Sequence, residues 1–197
     1  LVGLLAVDQL RVTFGARVDA HLHGADHFQL GQFVDQRRIL RLARRALSAG
    51  PDNSTCLACA AFTYVLVGRR FEEGLELAER ALSLHPNSVF VRIRAGVAYV
   101  NCGESEKALE HFESGWRMNP QDPKALTFTG MCAAHFFARR FEDCIAWGRR
   151  AVDEAAGANI ARRHMAAALA HLGRVEEAKA EIAVVLKYQP SSSLARS

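Results

Sequence analysis

Gly68-Arg69-Arg70-Phe71-Glu72-Glu73-Gly74, Gly103-Glu104-Ser105-Glu106-Lys107-Ala108, Arg139-Arg140-Phe141-Glu142-Asp143-Cys144 and Gly173-Arg174-Val175-Glu176-Glu177-Ala178 are four versions of one turn. They recur about every 34 residues, a period typical of helix-pair repeats. Each follows an apolar helical stretch and opens a second one. Three of the four second stretches run to a proline, at Pro86, Pro120 and Pro190, and Pro51 closes a blurred unit upstream. A fixed period of this length means stacked helix pairs, because one pair cannot bury its own apolar face. The expected fold class is all-α, a solenoid of four to five tandem helix-turn-helix units.

Working outward, residues 54–88 form the first regular unit. Leu57, Ala60, Ala61 and Tyr64 fall at i, i+3, i+4 and i+7, which is one helix face. The loop after this helix carries one extra residue, so Pro51 and Pro86 stand 35 apart. Units follow at 89–122, 125–158 and 159–192, and 193–197 reads as a polar tail. In the 125–158 unit the closing proline gives way to Ala155-Ala156-Gly157. Residues 20–53 read as a degenerate unit. Its second helix shows a clear stripe of Ile39, Leu40, Leu42, Ala43, Ala46 and Leu47, ended by Gly50-Pro51. Its first helix is poor, with His23, Gly24, Asp26 and His27 where apolar residues are wanted. Residues 1–19 read as a leading helix or the end of a preceding domain. The start at Leu1, without Met, suggests a piece of a longer protein.

Ala95, Gly96, Tyr99, Gly103, Ala108, Phe112 and Pro120 resemble the tetratricopeptide repeat. The resemblance covers residues 54–192 well and 20–53 weakly. It implies a right-handed α-solenoid that binds a protein or peptide partner and has no chemistry of its own. The two helices of a unit should cross where both side chains are small: Ala61 with Gly74, Gly96 with Ala108, Cys132 with Cys144, and Ala166 with Ala178. Arg92 and Arg162 depart from the pattern at a large apolar position, and their charged ends are expected to reach water. His135 replaces an aromatic. A narrower resemblance rests on the runs from Gly103 to Pro123 and from Ala134 to Phe141, together with Ala170-His171-Leu172-Gly173-Arg174. These are similar to the C-terminal repeat regions of bacterial class III adenylate cyclases and related regulators. There the array would be a regulatory or docking segment, and any catalytic domain would lie outside this chain.

The composition agrees with an interaction module. The chain has 197 residues, 50% apolar and 23% charged, which is the balance of a globular domain. A net charge of +4 is well short of a dedicated nucleic-acid binder, and no nucleic-acid partner is expected. Five cysteines without a tight spacing suggest reduced thiols and a cytoplasmic location. No apolar run approaches the ~18 residues of a membrane span, the stretch Leu1 to Val7 included. No nucleophile–base set, phosphate loop or acid/base carboxylate pair is evident, so no enzyme, metal or cofactor is expected.

The inward faces of the first helices should form an apolar trough. Its candidate lining is Phe62, Val65, Phe90, Ile93, Val97, Val100, Leu126, Ala133 and Phe136. Such a patch fits a helix or extended segment of a partner, with filling by this chain or a second copy as the alternative. The Lys/Asn clamp that some relatives use to grip a C-terminal carboxylate is absent from these positions. Arg37, Arg38, Arg41 and Arg45, with Arg44, form a stripe that would suit an acidic partner, although a solvated outer face is the commoner reason for such a run. His21, His23 and His27, and the Cys56/Cys59 pair, have metal-ligand spacings but no further ligands in sequence. The acids opening each second helix read as partners of the helix dipole.

Overall fold

Residues 36–120 and 124–188 are those that the computed structural model describes. Among them there are nine α-helices and no strand: α1 (Gln36–Ala49), α2 (Ser54–Leu66), α3 (Phe71–Leu84), α4 (Val89–Asn101), α5 (Ser105–Met118), α6 (Ala125–Phe137), α7 (Phe141–Glu154), α8 (Asn159–His171) and α9 (Val175–Tyr188). They divide into two compact units, α1–α5 and α6–α9. The expectations for residues 1–35, including the leading helix and the three histidines, lie outside the described residues. So do those for Pro190 and the tail.

The quoted turns create the helix pairs. In α4, α6 and α8 the chain leaves the helix through a left-handed residue: Gly103 (φ 84°), Arg139 (φ 60°) and Gly173 (φ 75°). The N–H groups of these residues donate to the carbonyls of Val100, Phe136 and Ala170 at 3.1, 2.9 and 3.1 Å. The next N–H groups, of Glu104, Arg140 and Arg174, donate to Tyr99, His135 and Leu169 at 2.9 Å. This doubly bonded end satisfies carbonyls the helix would otherwise leave open. The carbonyls of Glu104, Arg140 and Arg174 in turn accept from Ala108, Cys144 and Ala178, which starts the second helix. The α2–α3 turn contains the extra residue and is spelled Val67-Gly68-Arg69-Arg70. Arg69 takes the left-handed role (φ 53°), and the Arg70 N–H reaches Tyr64. Acids then occupy the first turn of each second helix: Glu72 and Glu73, Glu106, Glu142 and Asp143, Glu176 and Glu177. There they face the positive end of the helix dipole.

Between pairs the chain reverses through four-residue turns. Asn53 N–H bonds Gly50 across Pro51, and Ser88 N–H bonds His85 across Pro86. Proline presets the backbone of the second turn residue. Ala155 to Ala158 makes the same hydrogen bond without a proline. The Asn53 side chain caps α2, accepting from Thr55 and Cys56 N–H at 3.0 and 3.1 Å.

Stacking follows one scheme within each unit. In the first, α1 packs on α2, α2 pairs with α3 and α4 with α5, and α4 also lies against α2 and α3. In the second, α6 pairs with α7 and α8 with α9, and α8 also lies against α6 and α7. First helices therefore touch first helices and form one layer, with the second helices behind them. Small residues permit the crossings. A Cβ on Gly74 would lie 2.4 Å from Val65 Cγ2 and 3.2 Å from the Ala61 carbonyl oxygen. Gly96 lies beneath the fully buried ring of Phe112, 2.8 Å from where a Cβ would sit. Phe112 thus takes the contact expected of Ala108, one helical turn before it. Cys132 and Cys144 meet across the α6–α7 crossing with 3.5 Å between sulfurs. Ala166 and Ala178 are both buried.

The two arginine departures lie beside second-helix residues of their hairpins. One contact is built four times between a first and a second helix. Leu57 belongs to an apolar cluster that includes Leu77, and the Phe128 and Trp147 rings lie 5.4 Å apart. In the other two hairpins the partners are polar: Arg92 lies near His111, and Arg162 bonds Glu181 Oε2 at 2.6 Å. The Arg162 side chain is only 13% exposed, so its charged end meets a carboxylate and not bulk water. A buried guanidinium needs such a partner to offset desolvation.

Substitutions at these glycines should differ in sign. Gly74→Ala and Gly96→Ala should each destabilise by about 1–3 kcal/mol, because a stiff valine and a packed ring must move. Gly115→Ala should stabilise by roughly 0.5–1 kcal/mol, since its new Cβ would stand 3.4 Å from Ile93, an ordinary contact. At the turns, Gly173→Ala should cost about 1 kcal/mol in backbone strain alone, and Arg139→Gly should relieve up to about 1 kcal/mol. Urea unfolding of the four kinds of variant checks the signs.

Candidate functional site

The side of the first-helix layer that faces away from the second helices is the candidate surface. In the first unit it comes from α2 and α4. Of the expected lining on these two helices, Phe62, Val65, Val97 and Val100 are buried, and Phe90 and Ile93 are half-buried. Val65 and Ile93 also serve the hairpin crossings, since Val65 reaches Gly74 on α3 and Ile93 reaches Gly115 on α5. The Arg94 guanidinium sits 3.5 Å from the centre of the Phe90 ring and 5.6 Å from that of Phe62. A cation over an aromatic face is held by the ring quadrupole.

In the second unit the surface comes from α6 and α8. Leu126 and Phe136 are half-buried and Ala133 is buried. Phe136 is the hub of an aromatic cluster. Its ring centre lies 5.5 Å from Phe137, 6.0 Å from Phe141, 5.5 Å from His164 and 6.1 Å from His171. Phe141 and His171 stack in near-parallel planes at 4.6 Å. Phe137 is 55% exposed, the largest value among the exposed large apolar side chains of the described residues. Of these five residues the sequence reading singled out only Phe136. Two signals were available: Phe136-Phe137 ends α6 at the turn, and His164 and His171 stand seven apart on one face of α8.

The histidines of the hairpins are not equivalent. His164 is held by its own helix, with Nδ1 donating to the Ile160 carbonyl at 2.9 Å. Burial pushes its pKa below the ordinary value, Arg163 adds to the effect, and the hydrogen bond opposes it. His111, stacked on Tyr99 at 5.1 Å, is lowered by burial and then by Arg92. His135, the residue in place of an aromatic, is buried with Nδ1 3.8 Å from Asp143 Oδ2.

The other sequence candidates fall elsewhere. Arg37, Arg38, Arg41, Arg44 and Arg45 are all exposed on α1. Cys56 is buried and Cys59 half-buried on α2, and burial raises the Cys56 thiol pKa. None of the five cysteines is joined in a disulfide. Among the described residues no three His, Cys, Asp or Glu side chains come together as a metal site. None of the described helices is long and apolar enough to cross a membrane. A polar cleft of ≈ 320 Å³, missed in the sequence, is lined by Asp52, Asn53, Ser54, Thr55, His85 and Ser88. Its Ser54–His85 hydrogen bond of 2.9 Å ties two successive turns together.

No protein-family model matches the chain. Solved structures do. A thermophilic TPR protein of Thermus thermophilus is 22% identical, with 83% of this chain and 88% of that chain covered and a TM-score of 0.69. MamA (residues 41 to the end) from Desulfovibrio magneticus RS-1 is 16% identical over 84% of this chain and 92% of its own, with a TM-score of 0.61. YrrB, described as a TPR protein with an unusual peptide-binding site, is 16% identical over 83% and 82%, with a TM-score of 0.57. The fold class is therefore the all-α helical-repeat solenoid of tetratricopeptide proteins.

The lowered histidines make stability fall with acid. His111 and His164 bind protons more weakly folded than unfolded, so the unfolded state takes up more protons and is favoured as pH drops. The contribution is complete above the ordinary histidine value of about 6.5 and is lost on descending through the lower folded values. Urea midpoints from pH 7 to pH 5 should fall, and His111→Gln with His164→Gln should flatten that slope.

Proposed function

We propose that this chain is a non-catalytic, cytoplasmic protein–protein interaction module that holds a peptide or helix of its partner against the first-helix layer. The observation that carries the reading is the aromatic cluster on that face in the second unit. A phenylalanine left 55% exposed, on a platform of other rings, exposes apolar surface to water. Aromatic side chains on a pre-formed surface are common anchors of peptide recognition. Likeness of fold to YrrB, described as having a peptide-binding site, supports the assignment. Five cysteines without a disulfide support the location.

The proposed lining is Phe62, Val65, Phe90, Ile93, Val97 and Val100 in the first unit and Leu126, Ala133 and Phe136 in the second, with Arg37, Arg38, Arg41 and Arg45 as a separate patch for acidic groups. The motifs quoted between Gly103 and Pro123 support a finer placement, as the regulatory segment of a cyclase or transcription regulator. The reading frame upstream of Leu1 tests it. Self-association has its own candidate surface on α9, where Val175, Ile182 and Leu186 are exposed along one side. Sedimentation of the chain and of Ile182→Glu distinguishes that reading.

Selection from a random peptide library displayed on phage tests the main proposal. Peptides enriched on the wild-type chain should lose at least about tenfold in affinity on Phe137→Ala, given the energies usual for an aromatic anchor. No enrichment, or equal binding to a folded Phe137→Ala, contradicts it.

A further inference from the structure

Acidic side chains are missing from every first helix among the described residues. α2, α4, α6 and α8 contain no Asp or Glu, yet they carry Arg92, Arg94, Arg162 and Arg163 and three histidines. The acids sit in the turns and on second helices, where they meet basic neighbours. Glu177 pairs with Arg174 at 2.7 Å, Glu176 with Lys179 at 2.8 Å and Glu104 with Lys107 at 2.9 Å. Charge is thus sorted by helix: both signs on the second helices, only basic residues on the first, of which Arg92 and Arg162 turn toward second helices. Solubility does not require this sorting, since mixed charge would solvate either layer equally well.

The sorting is sharpest around the aromatic cluster. Arg139 is exposed, and its guanidinium lies 5.7 Å from the Phe141 ring centre. Arg163 stands beside His164, and exposed His171 stacks on Phe141. The acids that begin α7 each have a basic residue nearby, and both carboxylates stay largely exposed. Glu142 Oε2 lies 3.5 Å from Arg174, and Asp143 Oδ2 lies 3.8 Å from His135 Nδ1. An approaching carboxylate therefore meets the Arg139 cation and ring edges at the cluster itself.

We propose that the cluster of Phe136, Phe137, Phe141, His164 and His171, flanked by Arg139 and Arg163, docks an acidic peptide segment whose aromatic or large aliphatic residue is set between carboxylates. This rests on the function proposed above and names its partner. The apolar residue covers Phe137, and the carboxylates meet the Arg139 guanidinium and the ring N–H of His171. Two arginines are too few to track a phosphate backbone, which offers a charge at every nucleotide and is met by longer cationic grooves. A peptide with intermittent carboxylates matches the spacing better.

The test uses the full chain and three end-blocked fluorescent peptides of equal length. They share the same Leu and Phe residues and differ only in having Glu, Gln or Lys between them; oligo-dT is the fourth probe. Anisotropy titrations are run at low and high salt. The Glu peptide should bind at least about tenfold more tightly than the Gln peptide at low salt, with the advantage shrinking as salt screens it. Arg139→Gln and His171→Gln should remove most of that advantage with unchanged circular dichroism, and Phe137→Ala should weaken Glu and Gln peptides alike. Equal binding of Glu and Gln peptides overturns the acidic preference and leaves the interaction module standing. So does tighter binding of the Lys peptide. Tighter binding of oligo-dT, or an advantage that survives both charge variants, overturns the assignment of partner and site. If no peptide binds the wild-type chain, this inference and the proposed function fall together.

Discussion

Everything in this protein depends on the close crossing of two helices that cannot bury their apolar faces alone. At each crossing one side chain is removed or kept small so that another can enter. Gly74 admits Val65, Gly96 admits the Phe112 ring, and Gly148 admits Met165, whose Cγ lies 2.2 Å from where a Cβ would stand. Packing density in such interiors leaves no slack for an added methyl group against a rigid neighbour. The hairpin formed this way still has an open apolar side, and the next first helix closes it. Contacts run to adjacent pairs within each unit, which is the logic of a repeat array.

That scheme also separates two chemical tasks. Second helices solve the problem of solubility and helix ends: acids at the positive end of the dipole, often paired with a basic residue one turn away. First helices carry the apolar contacts on one side and, on the other, aromatic rings with cations. The Arg162–Glu181 contact shows how a charged residue is admitted to the interior with its charge compensated, whereas Arg92 has only the His111 ring beside it and disfavours that ring's charged form. In each case both positions are polar where the sister hairpins have the Leu57 and Leu77 cluster or the Phe128–Trp147 ring pair.

Much of this was legible in the sequence, because periodicity reports a local rule repeated. The helix pairs, the extra residue in the Val67–Arg70 turn and the Cys132–Cys144 contact all follow from spacing. Other features depend on details that spacing does not contain. Arg69 and Arg139 adopt the conformation that Gly103 and Gly173 adopt in sister turns, although arginine rarely does so. The fate of Arg162 depended on which residue of α9 lies opposite it, a matter of helix rotation. The aromatic cluster draws its members from α6, α7 and α8, so no single repeat displays it. Phe62, Val97 and Val100, expected as lining, are buried, whereas Phe137, one residue beyond the expected lining, is exposed.

Native-state hydrogen exchange tests the central claim most directly, because protection follows local stability. If neighbouring hairpins supply each other's core, α4, packed against α2, α3 and α5, should exchange among the slowest helices of its unit, and α1 should exchange faster. In the other unit α8, packed on three helices, should be protected more strongly than α9. Equal protection throughout each unit, or slow exchange confined to α1 and α9, would contradict an architecture built on serial stacking.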